Sequence, residues 1–582
     1  MNIQKREILN VLNKNGFCSQ RKLAKETGYS VGKVNSAIRE LIGEQMIDEK
    51  CRLTDRAIKE REMNRPKNAV ILAAGYGMRM VPINVEEPKG LLEVKGETLI
   101  ERMIRQLREA GVQTIDVVVG FMKEKYEYLI DDYDVNLVYN KEYGMKNNLH
   151  SLNCVSEKLG NTYIVPCDVW CEDNPFSSCE WYSWYMVTEH MTEKSSVKIG
   201  RGKELVSIKN EETGNQMIGI SYITEEDAEV VRRKLGEYCK LPEYDQVFWE
   251  TVLFAGGEIE VGAKVIESDK VAEINTYEQL RELDENSNQL QSNIMELLGR
   301  VLNTSPSNIT DIKSLKKGMT NRSFEFWCDG NHYIMIIPGE GTDKLINRKN
   351  EAVVYNTLKG KGITDPICYI SEDNGFKLTE FVEDARTCDP ENVEDLKRCM
   401  KFLRQFHDEN VQVDHTFDLF GQIEYYESLW NGQSSCYRNY TLTKQKMYEL
   451  KKFIDRQEKQ IALTHIDAVP DNFLIKGDDT YLIDWEYAGM QDVHVDVAMF
   501  CIYSLYDRSQ VDQLIDIYFE GKTEKSVRLK IYSYIAVCGL LWSNWCEYKR
   551  FCGVEFGEYS LRQYRYAKDY YRIVKEELNG EF

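Results

Sequence analysis

The sequence predicts a multidomain α/β protein, and three observations lead to this fold class. The chain has 582 residues, which is too long for one hydrophobic core. Residues 66–284 alternate short apolar runs with helical segments, the pattern of a mainly parallel sheet. Residues 294–582 begin with a strand-rich portion and continue as a mostly helical remainder. With a helical segment at 1–62 and a polar linker at 285–293, we expect three domains.

Composition and charge indicate a globular protein that avoids nucleic acid over most of its surface. Hydrophobic residues make up 42% of the chain, charged residues 29%, and the net charge is −21. An acidic surface repels phosphate groups. The longest apolar stretch, 531–545, is short and interrupted by polar residues, so we expect a buried helix and no membrane span. The first residues lack a signal-peptide pattern, and we therefore expect a cytoplasmic protein.

The 16 cysteines are scattered and form no CxxC pair. This pattern favours reduced thiols over disulfides in a chain of this size. Cys167, Cys171 and Cys179 are close in sequence, but no further ligand set accompanies them, so we expect structural roles for all three.

Residues 1–62 read as three helices, a short hairpin and a closing helix. This segment resembles a winged helix-turn-helix, with 31–42 in the position of the recognition helix. It carries 13 basic and 9 acidic residues. Its net charge is therefore positive, whereas the net charge of the rest of the chain is negative. DNA contact is one interpretation, and a docking or dimerisation domain is the other. The residues that would contact DNA are Arg21, Lys22, Lys33 and Arg39.

A glycine-rich loop follows the apolar strand NAVILA at 68–73. Backbone N–H groups of such a loop can bind triphosphate oxygens. Arg79 follows, and ten residues later comes Lys89 in a Pro-Lys pair. The string AAGxGxR…PKxLLxVxGxxLIER resembles the sugar-phosphate and phosphocholine nucleotidyltransferase superfamily. The predicted nucleotide-binding residues of this loop are Leu72, Ala73, Ala74, Gly75 and Gly77, with Arg79 and Lys89.

This resemblance implies a Rossmann-like domain in which a phosphomonoester attacks the α-phosphorus of a nucleoside triphosphate and releases pyrophosphate. Arg79 and Lys89 would neutralise the phosphates as catalytic residues. Asp168, in YIVPCDVW, would hold Mg²⁺. The second metal position is Asn275, where the family carries an aspartate, and Glu273 is a possible replacement ligand.

The motifs NNLHSL (147–152) and VPCDVW are similar to those of bacterial CTP:phosphocholine cytidylyltransferases. Aromatic faces and a carboxylate recognise a quaternary ammonium group. For any single Trp or Tyr, ordinary core packing is the alternative. The predicted substrate-binding residues are Asn148, Trp170, Tyr244, Trp249 and Glu250.

The segment 464–488 sets Asp467, Asn472 and Asp484 at the spacing of a kinase catalytic loop. The last domain resembles bacterial choline kinases of the aminoglycoside-phosphotransferase-like superfamily, which implies a two-lobed, protein-kinase-like α+β fold. Asp467 would accept the alcohol proton, and Asn472 and Asp484 would hold Mg²⁺. We expect His465 to orient this loop. Asp496 occupies a family position that supports the loop, and His407 occupies a structural one.

The resemblance also places an ATP-binding loop at 316–326, with Thr320 and Asn321 as ligands, and a helix glutamate at Glu351, preceded by Arg348. The strand before Pro338 normally carries a cation, but Ile336 stands there. We expect Lys316, Lys317 or Arg322 as a replacement, because phosphate alignment needs positive charge.

Choline recognition in this family implies acidic and aromatic residues beside the catalytic loop. At matching positions the chain carries Glu486, Tyr487, Trp542 and Trp545. The alternative for the two tryptophans is a core helix.

Together these resemblances lead to one hypothesis and two alternatives. We predict a bifunctional enzyme that phosphorylates choline with ATP and then combines phosphocholine with CTP, giving CDP-choline and pyrophosphate. Ile336 leaves open a cytidylyltransferase whose kinase-like domain only senses choline. Residues 1–62 leave open a transcriptional regulator that responds to choline metabolites. Ethanolamine or another amino alcohol remains an alternative substrate, because aromatic cages accept both amines.

Overall fold

The computed structural model describes residues 1–17, 19–208, 212–315, 321–339, 342–521, 523–552, 554 and 556–579. The chain divides into two compact units, Met1–Ser307 with Ile312–Ser314, and Asn308–Asp311 with Leu315–Phe582. The predicted limits 1–62, 66–284, 285–293 and 294–582 remain predictions. Within the described ranges, no helix is both long enough and apolar enough to cross a bilayer.

The first unit begins with four helices: α1 (Ile3–Asn15), α2 (Gln20–Thr27), α3 (Val31–Gly43) and α4 (Asp55–Met63). Each begins where a side chain accepts a hydrogen bond from a first-turn N–H group, as Ser30 does from Lys33. A bridge between Ile47 and Leu53 forms the wing. The winged helix-turn-helix fold is therefore present, with α3 at the predicted recognition position.

The rest of this unit is an α/β domain. Its strands are β1 (Asn68–Ala73), β2 (Glu93–Val94), β3 (Glu97–Thr98), β4 (Thr114–Val119), β5 (Asn136–Tyr139), β6 (Thr162–Pro166), β7 (Val169–Cys171), β8 (Trp184–Thr192), β9 (Val197–Ile199), β10 (Leu205–Ser207), β11 (Gly214–Ile223), β12 (Gly262–Ile266) and β13 (Val271–Glu273). Its helices are α5 (Leu99–Glu109), α6 (Leu129–Tyr133), α7 (Asn148–Asn153), α8 (Glu225–Tyr238), α9 (Thr251–Phe254), α10 (Tyr277–Leu283) and α11 (Asn293–Leu302).

In the described residues the central sheet has the strand order β12-β8-β11-β6-β1-β4-β5. β1 pairs in parallel with β4 and β6, whereas β11 is antiparallel to both of its neighbours. The buried residues of β1 make it a central strand, apolar on both faces. The loop after β1 and the loop after β6 therefore emerge side by side, at the carboxyl edge where α/β sheets bind ligands.

The N-terminal helices share one apolar core with a face of this sheet. Leu12 of α1 belongs to the same buried cluster as Trp181 and Trp184. Tyr29, in the turn before α3, donates a hydrogen bond to the carbonyl of Gly202 (3.1 Å). The winged helix is thus packed into the unit and is not attached by a free linker. The basic residues predicted to contact DNA, Arg21, Lys22, Lys33 and Arg39, are all exposed.

β14 (Ile309–Ser314) is divided between the two units. The strands of the second unit that follow are β15 (Asn321–Cys328), β16 (Asn331–Pro338), β17 (Ile367–Ile370), β18 (Lys377–Glu380), β19 (Arg386–Thr387), β20 (Ile461–Thr464), β21 (Phe473–Lys476), β22 (Asp479–Leu482) and β23 (Gly489–Asp492). Its helices are α12 (Arg348–Leu358), α13 (Val393–Asp408), α14 (Leu419–Ser428), α15 (Tyr440–Ile454), α16 (His494–Tyr503), α17 (Arg508–Tyr518), α18 (Lys525–Phe551) and α19 (Glu558–Glu577).

The second unit has the expected two lobes of a protein-kinase-like fold. In the small lobe β15, β16, β18 and β17 are neighbours in that order, and α12 accompanies the sheet. The large lobe is mainly helical, and its core includes α16 and the middle of α18. The apolar stretch 531–545 lies in α18 with almost every side chain buried, which explains its composition without a membrane.

Candidate active sites

The loop after β1 places predicted phosphate-binding groups around one point of the first unit. Gly77 has a φ of 59°, which favours glycine, and a Cβ there would lie 3.4 Å from the Lys89 side chain. Lys89 Nζ donates to Asn275 Oδ1 (2.8 Å) and also contacts the Asp168 carboxylate. Arg79 Nη2 donates to the same Asn275 oxygen (2.7 Å). The structure thus brings Arg79, Lys89, Asp168 and Asn275 together.

Two pairings fix the acidic side of this cluster. β7 and β13 are antiparallel, and Glu273 pairs with Val169. The Ile274 N–H donates to the Asp168 carbonyl (2.9 Å), which holds the two predicted metal-ligand segments against each other. Carboxylate and amide oxygens are the ligands that Mg²⁺ prefers, so this donor set fits that ion.

Glu250 lies at the start of α9, and its carboxylate is shielded from solvent. The Tyr185 hydroxyl group, from β8, donates to Glu250 Oε1 (3.0 Å). Glu250 Oε2 is shielded from solvent and accepts no hydrogen bond from the described residues. Burial raises the pKa of Glu250 to about 7, the Tyr185 hydrogen bond opposes this shift, and Glu273 and Asp168 add to it. A cationic partner would stabilise the ionised form of a carboxylate that is shielded from water in this way.

The other predicted substrate residues lie in different environments. Trp249 is buried, and its ring lies 6.3 Å from that of Tyr185. The backbone N–H of Trp249 donates to Asn148 Oδ1 (2.8 Å). Tyr244 stacks on Tyr238, with ring centroids 4.2 Å apart. The structure therefore links Asn148, Trp249 and Glu250.

Trp170 already has cationic partners from the chain itself. Lys95 Nζ lies 4.2 Å from its ring centroid and the Arg102 guanidinium carbon 5.2 Å from it. A substrate ammonium group on the same ring face would compete with these side chains.

Tyr185, which binds Glu250, was not predicted from the sequence. The sequence pattern that could have indicated Tyr185 is the alternation of side chains along β8, which turns Trp184 and Tyr185 to opposite faces of the sheet.

In the second unit, the loop after β20 places the kinase-like residues. Asn472 Nδ2 donates to the Asp467 carbonyl (2.9 Å) and to Asp467 Oδ2 (3.3 Å). Asp484 has a φ of 68° and its N–H donates to the Tyr355 hydroxyl oxygen (3.2 Å). This left-handed backbone turns the Asp484 carboxylate back toward the catalytic loop.

Two buried residues, Asp496 and His465, hold this loop in place through hydrogen bonds. Asp496 accepts hydrogen bonds from the backbone N–H groups of His465 (3.0 Å) and Ile466 (2.7 Å), and it contacts His407 Nε2 (3.0 Å). His465 Nε2 contacts the Ile483 carbonyl (2.9 Å), so its ring ties the loop to the strand before Asp484. Burial lowers the pKa of His465 to about 4, which keeps the imidazole neutral.

Three carboxylates crowd the active-site end of the loop. Burial and the nearby Asp484 raise the pKa of Asp467 to about 7. Burial also raises the pKa of Asp484 and holds the pKa of Glu486 well above its ordinary value, with Asp484 adding to the effect on Glu486. Such a cluster requires cations for its ionised form. Asp467, Asn472 and Asp484 supply oxygen ligands that fit Mg²⁺.

The small lobe contains a cation that the sequence did not indicate. Lys377 on β18 is 2% exposed, and its Nζ lies 3.4 Å from Glu351 Oε1 and 2.8 Å from the Tyr355 hydroxyl oxygen. Arg348 Nη1 donates to the other oxygen of Glu351 (3.0 Å). Glu351 therefore has two basic partners, although Ile336 replaces the usual one.

The predicted replacements for that cation, Lys316 and Lys317, lie outside the described residues, as does Thr320. Asn321 and Arg322 begin β15, but their side chains lie outside the described part. Their nucleotide-binding roles remain predictions.

Several aromatic side chains cluster around Tyr487, the residue that follows Glu486. Trp542 of α18 lies 5.6 Å from Tyr487 and 6.5 Å from Tyr426, measured between ring centroids. Trp545 follows one turn later, 6.2 Å from Trp542. Tyr426, whose buried hydroxyl group has no hydrogen-bond partner among the described residues, was not predicted because α14 is distant in sequence. Trp542 is buried and Trp545 is half-buried on α18. The predicted role of both rings in choline binding remains a prediction.

Lys549 lies beside Trp545, one of the rings predicted to bind choline. Lys549 Nζ is 5.4 Å from the Trp545 ring centroid. Burial lowers the pKa of Lys549, and Glu486 counteracts that effect. Trp542, Trp545 and Lys549 are spaced three and four residues apart and share one helix face.

Three family models match the chain, each in a different part. A MobA-like NTP transferase domain matches residues 69–175, a choline/ethanolamine kinase matches 312–535, and a winged helix-turn-helix DNA-binding domain matches 1–48. The fold and these matches define a nucleotidyltransferase that also carries a kinase-like domain.

Three proteins are similar to parts of this chain. Choline-phosphate cytidylyltransferase from Streptococcus pneumoniae is 30% identical over 37% of this chain and 96% of its own length. 2-Aminoethylphosphonate cytidylyltransferase from Lancefieldella rimae is 33% identical over 37% of this chain and 92% of its length. The crystal structure of choline kinase LicA from Streptococcus pneumoniae covers 48% of this chain and 98% of that chain at 27% identity, with a TM-score of 0.43. The chain belongs, through its first unit, to the cytidylyltransferase family that includes the first two enzymes.

Proposed function

We propose that the chain converts choline to CDP-choline in two steps at two separate sites. The observation that carries the proposal is the presence of both candidate sites in one polypeptide. The first unit gathers Arg79, Lys89 and Asp168, and the second gathers Asp467 and Asp484. The product of a kinase acting on an amino alcohol is a phosphomonoester, which is the kind of substrate named for the similar choline-phosphate cytidylyltransferase.

In the first step the choline hydroxyl oxygen attacks the γ-phosphorus of ATP. The bond from this phosphorus to the β–γ bridging oxygen breaks, and ADP leaves. Asp467 accepts the hydroxyl proton, while Asn472 and Asp484 would hold Mg²⁺, which supplies positive charge at the phosphates. Glu486 and the rings of Tyr487, Trp542 and Trp545 bind the quaternary ammonium group. This binding orients the choline hydroxyl group toward Asp467.

In the second step a phosphate oxygen of phosphocholine attacks the α-phosphorus of CTP. The bond to the α–β bridging oxygen breaks, and pyrophosphate leaves. Arg79 and Lys89 stabilise the charge that develops at the α-phosphate of the transferred cytidylyl group. Asp168 and Asn275 would hold Mg²⁺, with the amide oxygen of Asn275 a weaker ligand than a carboxylate. Glu250 is placed to bind the ammonium group.

The similarity to a 2-aminoethylphosphonate enzyme raises a second candidate substrate for the first unit. A phosphonate contains a carbon–phosphorus bond, which phosphoryl transfer to a hydroxyl group does not create. An associated kinase-like domain therefore supports a phosphate ester of an amino alcohol. Choline and ethanolamine both satisfy this requirement, and the paired aromatic residues favour the quaternary amine.

³¹P NMR of the purified chain tests both steps. One sample receives choline, ATP, CTP and Mg²⁺, and a second receives phosphocholine, CTP and Mg²⁺ without ATP. CDP-choline in both samples supports the proposal. CDP-choline in the second sample alone would leave a cytidylyltransferase with a choline-sensing domain. Samples with ethanolamine and with 2-aminoethylphosphonate compare the alternative substrates, and a faster reaction with either would replace choline in the proposal.

A further inference from the structure

Lys377 is a buried lysine beside the proposed ATP site, and the two reaction steps leave it without a role. It begins β18, where it pairs directly with Ile336 of β16 in antiparallel register. Residues paired in this way project from the same face of a sheet, with Cβ atoms about 5 Å apart. A lysine at 377 can therefore extend its ammonium group into the region that a lysine at 336 would reach.

The contacts of Lys377 are those that a phosphate-binding lysine of a kinase-like fold makes. Its Nζ lies 3.4 Å from Oε1 of Glu351, the helix carboxylate. It also lies 4.0 Å from Oδ1 of Asp484, a predicted Mg²⁺ ligand. The Tyr355 hydroxyl oxygen, 2.8 Å away, accepts a further hydrogen bond. Glu351 and Tyr355 occupy two of the three ammonium N–H groups, so the third can donate to a phosphate oxygen.

The remaining partners hold this arrangement in place. Arg348 binds the second oxygen of Glu351 (3.0 Å) and the Thr342 hydroxyl oxygen (2.8 Å). The Glu351 carboxylate is therefore not free to turn away from Lys377. A lysine that only neutralised a buried carboxylate would not need to approach Asp484, since Arg348 already pairs with Glu351.

We propose that Lys377 supplies, from the neighbouring strand, the positive charge that aligns the ATP phosphates in place of the cation absent at Ile336. This inference rests on the proposed kinase function. The lysine has moved across one strand pairing, while its glutamate partner and its distance to the metal-binding aspartate are kept. The kinase-like site is on this account complete, and Ile336 is not a sign of degeneration.

The test compares Lys377→Met with the wild type and with Lys361→Met, an exposed small-lobe lysine that serves as the matched control. Choline-dependent ADP formation gives kcat/KM for ATP, calorimetry gives the Kd of Mg·ATP and of choline, and thermal unfolding monitors the fold. We expect kcat/KM for ATP to fall at least about 100-fold in Lys377→Met, with the choline Kd within threefold of wild type. Lys361→Met should match the wild type.

A second variant, Lys377→Met with Ile336→Lys, returns the ammonium group to the usual strand. Recovery of at least tenfold over Lys377→Met supports the inference. Kinase activity of Lys377→Met within fivefold of wild type would overturn it, as would parallel loss of choline binding and thermal stability, which identifies a structural residue. If the wild type phosphorylates no amino alcohol, the proposed function fails separately. The Kd of Mg·ATP then decides: weaker binding by Lys377→Met supports the inference, and unchanged binding overturns it.

Discussion

Glu250 should make phosphocholine binding depend on pH, and its replacement by glutamine should remove that dependence. Its pKa is about 7 in the free enzyme, against an ordinary value of 4.5. At pH 8 the carboxylate is mostly ionised, whereas at pH 6 only about one-tenth of it is. Because only the ionised form attracts an ammonium group, the KM for phosphocholine should rise about tenfold between pH 8 and pH 6.

The same shift limits the effect of Glu250→Gln. If the bound ammonium group restored the ordinary pKa, the coupling between cation and carboxylate would be about (7 − 4.5) × 1.36 kcal/mol, or about 3.4 kcal/mol. This upper limit corresponds to a KM increase of about 300-fold at pH 8. kcat should change little, because Glu250 binds the part of the substrate that does not react.

Pyrophosphate release from CTP and phosphocholine, measured from pH 5.5 to 8.5, provides the assay. Phosphocholine itself titrates near pH 6, so the informative quantity is the ratio of wild-type KM to the KM of Glu250→Gln at each pH. This ratio should change with an apparent pKa of about 7. Glu243→Gln, an exposed neighbour, provides the control. Equal pH profiles for wild type and Glu250→Gln, or an unchanged KM, would refute the assignment.

Stability gives an independent check on Glu250. Its pKa is higher in the folded chain than the ordinary value expected in the unfolded chain. The folded state therefore holds the proton more tightly. As a result, the free energy of unfolding of this unit rises as pH falls from about 7 to about 4.5. Glu250→Gln should lose this contribution to the pH dependence and should melt at a higher temperature than wild type at pH 8.

The remaining predictions address other parts of the molecule. Asp467→Asn should lower choline phosphorylation by about 10²–10⁴-fold and leave pyrophosphate release from phosphocholine and CTP unchanged; an equal loss of both would contradict separate sites. Asn275→Asp should lower the Mg²⁺ concentration for half-maximal cytidylyl transfer, because a carboxylate replaces a neutral ligand. Lys549→Met should lower the KM for choline about two- to fivefold by removing a competing cation; an unchanged or higher KM would contradict this competition. Deleting residues 1–62 should lower the melting temperature of the first unit, because the buried face with Trp184 becomes exposed; unchanged melting would indicate an independent winged helix.

The sequence predicted those parts of the fold and of the candidate sites whose residues lie close together along the chain. Asp467, Asn472 and Asp484 lie within one hairpin and its flanking loops, so their spacing alone indicated their grouping. Likewise, Arg79 and Lys89 follow one strand within about twenty residues. The winged helix and both larger folds were confirmed by their matching family models and architecture.

Residues brought in by strand register or by distant helices could not be predicted in this way. Lys377 acquires its position only because β18 pairs with β16 at Ile336. Tyr185 reaches Glu250 from β8, and Tyr426 reaches Trp542 from α14, at sequence distances that no local motif spans. For the same reason the shared core of the winged helix and the sheet was not foreseen, because packing between elements leaves no local sequence pattern.

The two candidate sites share one electrostatic feature although their folds are unrelated. In each, a carboxylate with a raised pKa lies near aromatic rings: Glu250 near Tyr185 and Trp249, and Glu486 near Tyr487 and Trp542. A buried carboxylate is costly alone and becomes favourable with a cation. A head group that keeps its positive charge through both reactions satisfies both sites in turn. The common electrostatic requirement supports consecutive steps on one amino alcohol more strongly than either site does alone.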